Sequence, residues 1–205
     1  MLYPACRSQS GQVTATMIWQ GDAWHLTRLE AGDTTAFHYG LAADLGSTSV
    51  TMELVDLNRG EVVAKGTRYN LQRAFGDDIL TRIFYGKDQP DHIRELQEAT
   101  VETLRLLMED LTEQSGVDAK LAAVLVLAGN TTMIHFLMGL DAYPLFLSPY
   151  APVVSAPGFL PGRQLGLPMD APVFLFPAKA NYMGGDIISG MIATGISRSE
   201  KILLF

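Results

Sequence analysis

From Gly40 onward, the apolar positions fall into short runs of two different periods. Leu41 to Leu45 predicts a buried strand with Asp44 near its end, Val50 to Leu57 a second strand and Glu61 to Thr67 a third. Asn58-Arg59-Gly60 supplies a hairpin turn between the second and third, so the three form a meander. The period then lengthens. "FGDDILTRIFYG" offers an acidic N-cap at Asp77 and places Ile79, Ile83 and Phe84 on a short helix. Ile93, Leu96, Thr100, Leu104, Leu107 and Leu111 recur at three and four, and Gly116 marks the end of this second helix. Its other side carries Glu95, Glu98, Glu102, Arg105, Glu109 and Glu113, an ordinary solvated face.

Ala122 to Ala128 reads as a wholly apolar strand, and Thr131 to Met138 as a short helix closed by Gly139. Asp141 to Asp170 has no period and is rich in proline and glycine, a long irregular excursion of a kind uncommon unless functional or mobile. Val173 to Phe176 is a further strand, Asp186 to Thr194 a helix with small residues at Gly190 and Ala193, and Lys201 to Phe205 the start of another strand. A meander followed by alternating strands and helices implies an α/β fold, a mixed sheet with helices on its faces. Upstream, "QVTATMIWQGDAWHLTRLEAGD" alternates as short strands around a turn at Gly21-Asp22. Residues 1–38 are too short for a domain and read as the remnant of a preceding linker domain, with 39–205 as the main unit.

Composition narrows the class. The chain is 48% hydrophobic, enough for a sizeable core, and carries 22 acids against 15 bases for a net charge of -7. That balance argues against nucleic acid or an anionic membrane as partner, because both need clustered Lys and Arg. Cys6 is the single cysteine, so no disulfide forms within the chain and a reducing cytoplasm is the natural compartment. Met1 to Gln9 has no apolar signal-peptide core. Leu121 to Leu140 is uncharged over about the length of a bilayer span. Gly129-Asn130-Thr131-Thr132 interrupts it, which fits a buried strand turning into a helix and not a membrane span.

The candidate chemistry begins at "DLGSTS". A turn of Gly46, Ser47, Thr48 and Ser49 can direct successive backbone N–H groups into one concavity suited to phosphate oxygens, with the hydroxyls as extra donors. Asp44 would repel a phosphate unless a cation such as Mg²⁺ lay between them, directly or through water. The same residues also make a plain polar hairpin turn with an acid at its edge, and taken alone they favour that simpler account.

Four separate motifs in order shift the balance. "GLAADLGSTSVTMELVDL" resembles the first phosphate motif of the actin, Hsp70 and sugar-kinase ATPase superfamily. "YNLQRAFGDDILTRIFYG", "VLVLAGNTTMIHFLMGLD" and "PAKANYMGGDIISGMIATG" resemble the ATPase domain of reductive activators of corrinoid proteins, over residues 39–205. Ser47 and Ser49 stand where that family usually has threonine, and Leu71 where it usually has proline. The resemblance implies an RNase H-like (actin-like ATPase) lobe, with ATP and Mg²⁺ as cofactors. It also implies ATP hydrolysis coupled to reduction of cob(II)alamin to cob(I)alamin on a corrinoid protein or corrinoid-dependent methyltransferase. An iron–sulfur cluster needs about four cysteines, so it is expected only in a missing N-terminal domain. The chain ends at "KILLF", where such proteins would continue into a second phosphate loop, so the resemblance implies an N-terminal-lobe fragment, expected to be inactive alone for want of half the nucleotide site.

Within that resemblance Gly184-Gly185 open a helix near the γ-phosphate, and Asp186 would orient the attacking water. The plainer account of Asp186 is a cap carboxylate complementing the helix dipole. Asp77 and Asp78 share that ambiguity, with capping expected of at least one. Asn130 and Thr131 either hold a ligand at the strand–helix junction or simply cap the helix. His135, on an apolar background, reads as a packed core histidine. Rival functions are a small-molecule kinase of the same superfamily and a nucleotide-dependent interaction module docking a partner through residues 141–170. The sequence leaves a homodimer open.

Overall fold

The computed structural model describes residue 7, residues 11–181 and residues 183–196. The alternating segment near the N-terminus forms an antiparallel hairpin of β1 (Val13–Trp19) and β2 (Trp24–Ala31), a two-stranded sheet of its own. Gly21 turns the chain at φ +88°, a backbone that glycine adopts without the steric cost of a Cβ.

The main sheet starts with the expected meander, β3 (Tyr39–Leu45), β4 (Ser49–Asp56) and β5 (Glu61–Tyr69). Alternation sets which side faces the core: β4 buries Val50, Met52 and Leu54 and turns Thr51 and Glu53 the other way. β3 then pairs in parallel with β6 (Leu125–Gly129), and β6 in parallel with β8 (Pro172–Leu175). With β7 (Gly158–Pro161) antiparallel on the outer edge, the six-stranded order is β5-β4-β3-β6-β8-β7. The mixed α/β sheet and its meander-first order agree with the expected RNase H-like lobe.

Two helices cover the core side. α1 (Ile79–Asp88) leads into α2 (Pro90–Ser115), whose stripe of Leu96, Leu104, Leu107, Met108 and Leu111 is fully buried against the meander. α2 ends where Gly116 enters the left-handed region at φ +70° and donates its N–H to the Thr112 carbonyl. On its solvent side Arg105 bridges Glu102 and Glu109. The uncharged stretch predicted to be a buried strand and helix is β6 followed by α3 (Thr131–Leu137). No helix among the described residues is long and apolar enough to cross a membrane. α4 (Gly185–Ala193) closes the described order.

Three expectations need revision. The N-cap of α1 is Asp78, not Asp77: Asp78 has extended backbone, and its carboxylate accepts from the Thr81 N–H at 2.8 Å. Asp77, one position earlier, is exposed and only 3.7 Å from Arg73 in a loose pair. The irregular excursion is also more ordered than its composition suggested. It contains β7, and Leu165, Leu167 and Met169 return to the core. A strand of four residues bounded by glycine and proline is too short to show a period. The strand predicted over Ala122 to Ala128 is shorter at its start, beginning at Leu125. The strand expected from Lys201 to Phe205 lies outside the described residues.

Candidate functional site

Parallel strands end on one side of the sheet, and ligands of open α/β sheets sit at that carboxyl edge. Here the ends of β3 and β6 and the segment after β8 converge with the start of α4. Close backbone approach holds them together. A Cβ on Gly129 would lie 3.0 Å from the Leu45 carbonyl oxygen, and one on Gly184 would lie 2.6 Å from Asn130 Cα and 2.9 Å from the Gly129 carbonyl oxygen. A Cβ on Gly185 would lie 2.7 Å from Phe176 Cβ. The glycine pair thus lets the first turn of α4 rest directly on the ends of β6 and β8.

Asp44 is the penultimate residue of β3, paired with Thr51 on one side and Ala128 on the other. The strand alternates, so Leu41, Ala43 and Leu45 enter the core while Ala42 and Asp44 face the opposite side. There Asp44 lines a groove with Thr51, Ala128, Phe176 and Ser189 of α4. Partial burial raises the Asp44 carboxyl above the ordinary aspartate range, and the charge of Asp186 raises it further. Asp44 and Asp186, far apart in sequence, are thus near enough in space for the charge of one to act on the other.

Asp186 lies in the first turn of α4 but does not cap it. The cap position is Gly184, without a side-chain bond, and Asp186 accepts from the Ile187 N–H at 2.8 Å. Its carboxylate still lies at the positive end of the helix, and it is exposed.

The loop between β3 and β4 is Gly46, Ser47 and Thr48, leading into Ser49. Gly46 is required sterically, because a Cβ there would run into the Ser49 carbonyl oxygen. The loop carbonyls are tied inward. Asn70 donates its Nδ2 to the Gly46 carbonyl at 2.9 Å and its backbone N–H to the Thr48 carbonyl at 2.9 Å, and Arg82 donates Nη1 to the Ser47 carbonyl at 2.8 Å. In a planar trans peptide the N–H points opposite to the carbonyl. The N–H groups of Ser47, Thr48 and Ser49 are accordingly turned away from Asn70 and Arg82. This is the donor arrangement that an anion-binding concavity uses.

Asn130 and Thr131 have structural partners. Asn130 caps α3, its side-chain oxygen accepting from the Met133 N–H at 3.0 Å. The buried Thr131 hydroxyl donates to the Ala180 carbonyl at 3.0 Å, tying α3 to the segment that precedes α4. His135 is a core histidine: Nε2 accepts from the Val153 N–H at 3.1 Å, which leaves Nδ1 as the donor to the Thr131 carbonyl at 2.8 Å. Burial pushes its pKa below the usual histidine value.

Sequence reasoning missed the buried polar residues beneath the loop, Asn70, Gln72 and Arg82, all at 0% exposure. Gln72 donates to the Leu96 carbonyl at 3.0 Å and to the Thr100 hydroxyl at 2.6 Å, joining this layer to α2. A signal existed for Arg82: Arg82, Ile83 and Gly86 are buried at helical spacing with the partly buried Ile79, so the arginine stands in an apolar phase. Among the described residues, no group of three or more His, Cys, Asp or Glu side chains is placed to hold a metal. A cation here would be held by Asp44 and Asp186 with water and ligand oxygens completing its shell, a donor set that suits Mg²⁺.

Comparison with known proteins agrees with this architecture. A curated relative, "Corrinoid activation enzyme RamQ" of Eubacterium limosum, is 30% identical over 168 residues, 81% of this chain and 28% of that protein. A solved structure, "Reductive activator for corrinoid,iron-sulfur protein", superposes with a TM-score of 0.90 at 33% identity, covering 98% of this chain and 32% of that one. The match is broad enough to include the β1–β2 hairpin, and the chain spans less than a third of the length of either protein. Residues 39–199 match the family described as the RACo middle region, which runs from the start of β3 to beyond α4. By fold, by sequence and by the order of its motifs, this chain belongs to the RACo middle region family.

Proposed function

We propose that this chain supplies one wall of a Mg·ATP site in an activator that drives the reduction of a corrinoid protein from cob(II)alamin to cob(I)alamin. The observation that carries the reading is the Asp44–Asp186 pair beside a loop of outward-turned N–H groups. Two neighbouring carboxylates repel each other, and both would repel a phosphate. A divalent cation between them and the phosphate reverses each of those interactions. The names of the two relatives favour corrinoid activation over the small-molecule kinase and the interaction module.

On this reading the Ser47, Thr48 and Ser49 N–H groups and hydroxyls receive phosphate oxygens. Gly184 and Gly185 keep the floor of the cleft free of side chains. Asp44 and Asp186 would hold Mg²⁺, largely through water, and the ion would neutralise charge developing on the transferred phosphoryl group. Asp186, exposed at the mouth, orients the attacking water and accepts its hydrogen bond. Asn130 and Thr131 shape the cleft wall through backbone ties, with no direct part in the chemistry. Hydrolysis yields ADP and phosphate. The single electron for cobalt would be supplied by an iron–sulfur donor outside the residues described here. ATP hydrolysis favours this uphill reduction by closing and reopening the cleft around the nucleotide, a hinge-type transition.

The test replaces the matching region of the solved reductive activator with this chain and follows ATP turnover in the presence of a cob(II)alamin-loaded corrinoid protein. Asp44→Asn and Asp186→Asn should each lower turnover about 10²-fold, the effect expected from losing about 2–4 kcal/mol of transition-state stabilisation. Unchanged turnover in both natively folded variants would remove the carboxylate pair from the reaction.

A further inference from the structure

Arg82 is the largest fully buried side chain of the described structure, an unusual place for a permanent positive charge. It lies below the β3–β4 loop. Nε donates to the Gly76 carbonyl at 2.8 Å, and Nη1 donates to the Ser47 carbonyl at 2.8 Å and more weakly to Gln72 Oε1 at 3.3 Å. Nη2 is buried with no partner at all. Among the described residues no carboxylate is paired with the guanidinium, and the charges that act on it are Arg73, which opposes it, and Asp78 and Asp77 at the start of α1. A buried cation with an unsatisfied donor and no counter-ion makes a poor structural tie, since apolar residues of the same size fill such space at less cost.

We propose that Arg82 is the positioning residue of the 46–49 loop, its guanidinium holding the Ser47 carbonyl inward so that the loop N–H groups face the cleft. Asn70 donates to the carbonyls of Gly46 and Thr48, on either side of Ser47, and Arg82 donates to the central one. If that central peptide were free, it could flip, turning its carbonyl into the cleft and withdrawing the Thr48 N–H. An aliphatic residue cannot prevent this flip, which accounts for a charged donor in an otherwise apolar phase of α1. The guanidinium also places a fixed positive charge under the loop, screened from water by its burial, which favours an anion above it. The ligand class this implies is a polyphosphate, and that part of the inference rests on the nucleotide reading given above.

The experiment uses the whole ¹⁵N-labelled chain without nucleotide, so that its outcome does not depend on the nucleotide reading. Backbone order parameters at Ser47, Thr48 and Ser49 are compared in the natural protein, Arg82→Lys and Arg82→Met. The natural loop should be as rigid as its flanking strands, at about 0.85, and Arg82→Met should fall below about 0.6 in the loop alone. Lysine keeps one charged donor that can reach Ser47 but loses the bonds to Gly76 and Gln72. Arg82→Lys should therefore restore loop order towards the natural value while melting no higher than Arg82→Met. Asn70→Asp, which keeps the acceptor for Gln72 but loses the donor to Gly46, provides a second variant should both Arg82 substitutions unfold, and it should loosen Gly46 while Ser47 stays ordered. Equal loop order in the natural protein and Arg82→Met, or equal loss in Arg82→Lys and Arg82→Met, would overturn the proposal, as would disorder of Ser47 in Asn70→Asp. Inorganic tripolyphosphate with Mg²⁺, added to the natural chain, then tests the ligand class separately: absence of shifts at Ser47–Ser49 with an ordered loop counts against the nucleotide reading and leaves the positioning role standing.

Discussion

Gly184→Ala probes the joint between α4 and the sheet, on which the site depends. The new methyl carbon would lie 2.6 Å from Asn130 Cα, 2.8 Å from Asp186 Oδ1 and 2.9 Å from the Gly129 carbonyl oxygen. Two of these three neighbours are backbone, held by the β6 ladder and by the α3 cap, so they cannot swing aside as a flexible side chain would. The first turn of α4 must lift by several tenths of an ångström, and overpacking of this kind costs about 1–3 kcal/mol. Gly190→Ala is the control within the same helix, because nothing lies within 4 Å of its Cβ position. There alanine should stabilise the chain by about 0.5–1 kcal/mol through helix propensity alone. Urea denaturation of the three proteins measures both signs in one experiment. A chain of this size shifts its melting temperature by about 2–4 °C per kcal/mol, so thermal unfolding should separate the variants in opposite directions. Lifting α4 also moves Asp186 away from Asp44, so the Asp44 carboxyl should titrate closer to the ordinary range in Gly184→Ala. Equal stability of the two alanine variants would refute the close approach, and with it the geometry that joins the two acids.

Other consequences follow from the same contacts. Asp44 holds its proton more tightly in the folded chain, so its stabilising contribution is complete below the ordinary aspartate range and is lost as pH rises through the raised value. Without metal, Asp44→Asn should therefore be more stable than the natural chain at pH 7, with the gap closing by about pH 3 in urea titrations; a gap that persists at low pH contradicts this. His135 behaves oppositely: its lowered pKa means that stability is present above the ordinary histidine value and is lost as pH falls below about 6.5 towards the folded value. Its ring protons should titrate below that value by NMR, and His135→Gln should flatten this part of the stability profile while costing about 1–3 kcal/mol for the Val153 N–H or Thr131 carbonyl left unsatisfied. Asn130→Ala should cost about 1 kcal/mol through loss of the α3 cap, read from chemical denaturation; no loss would mean that the Met133 N–H finds another acceptor.

The parts of the fold with a full period were legible in the sequence. The β3–β4–β5 meander, α2 with its leucine stripe and the β6–α3 turn all emerged where predicted, within a few residues, because each buries one face long enough for the pattern to repeat. β7 was hidden because it has four residues and joins the sheet only by pairing with β8, a partner that local sequence does not reveal. For the candidate site, the loop and the glycine pair were singled out from sequence, but not the residues that support them. Asn70 and Arg82 are polar residues that satisfy loop carbonyls from distant positions, and polarity alone reads as surface. The side-chain bond expected of a cap at Asp186 is absent because Gly184 takes the cap position. The ambiguity at Asp77 and Asp78 was resolved only by the bond from Thr81.

On the function proposed above, the β3–β4 loop and the start of α4 form one phosphate-binding surface that works through a divalent cation. The most direct measurement is a titration of the ¹⁵N-labelled chain with ATP, with and without Mg²⁺, following the backbone amides. Mg²⁺-dependent shifts should concentrate at Ser47, Thr48, Ser49, Gly184, Gly185 and Asp186, with weak affinity in this chain alone and loss of the Mg²⁺ dependence in Asp44→Asn. Shifts confined to other surfaces, or the same shifts at these six residues with and without Mg²⁺, would contradict it.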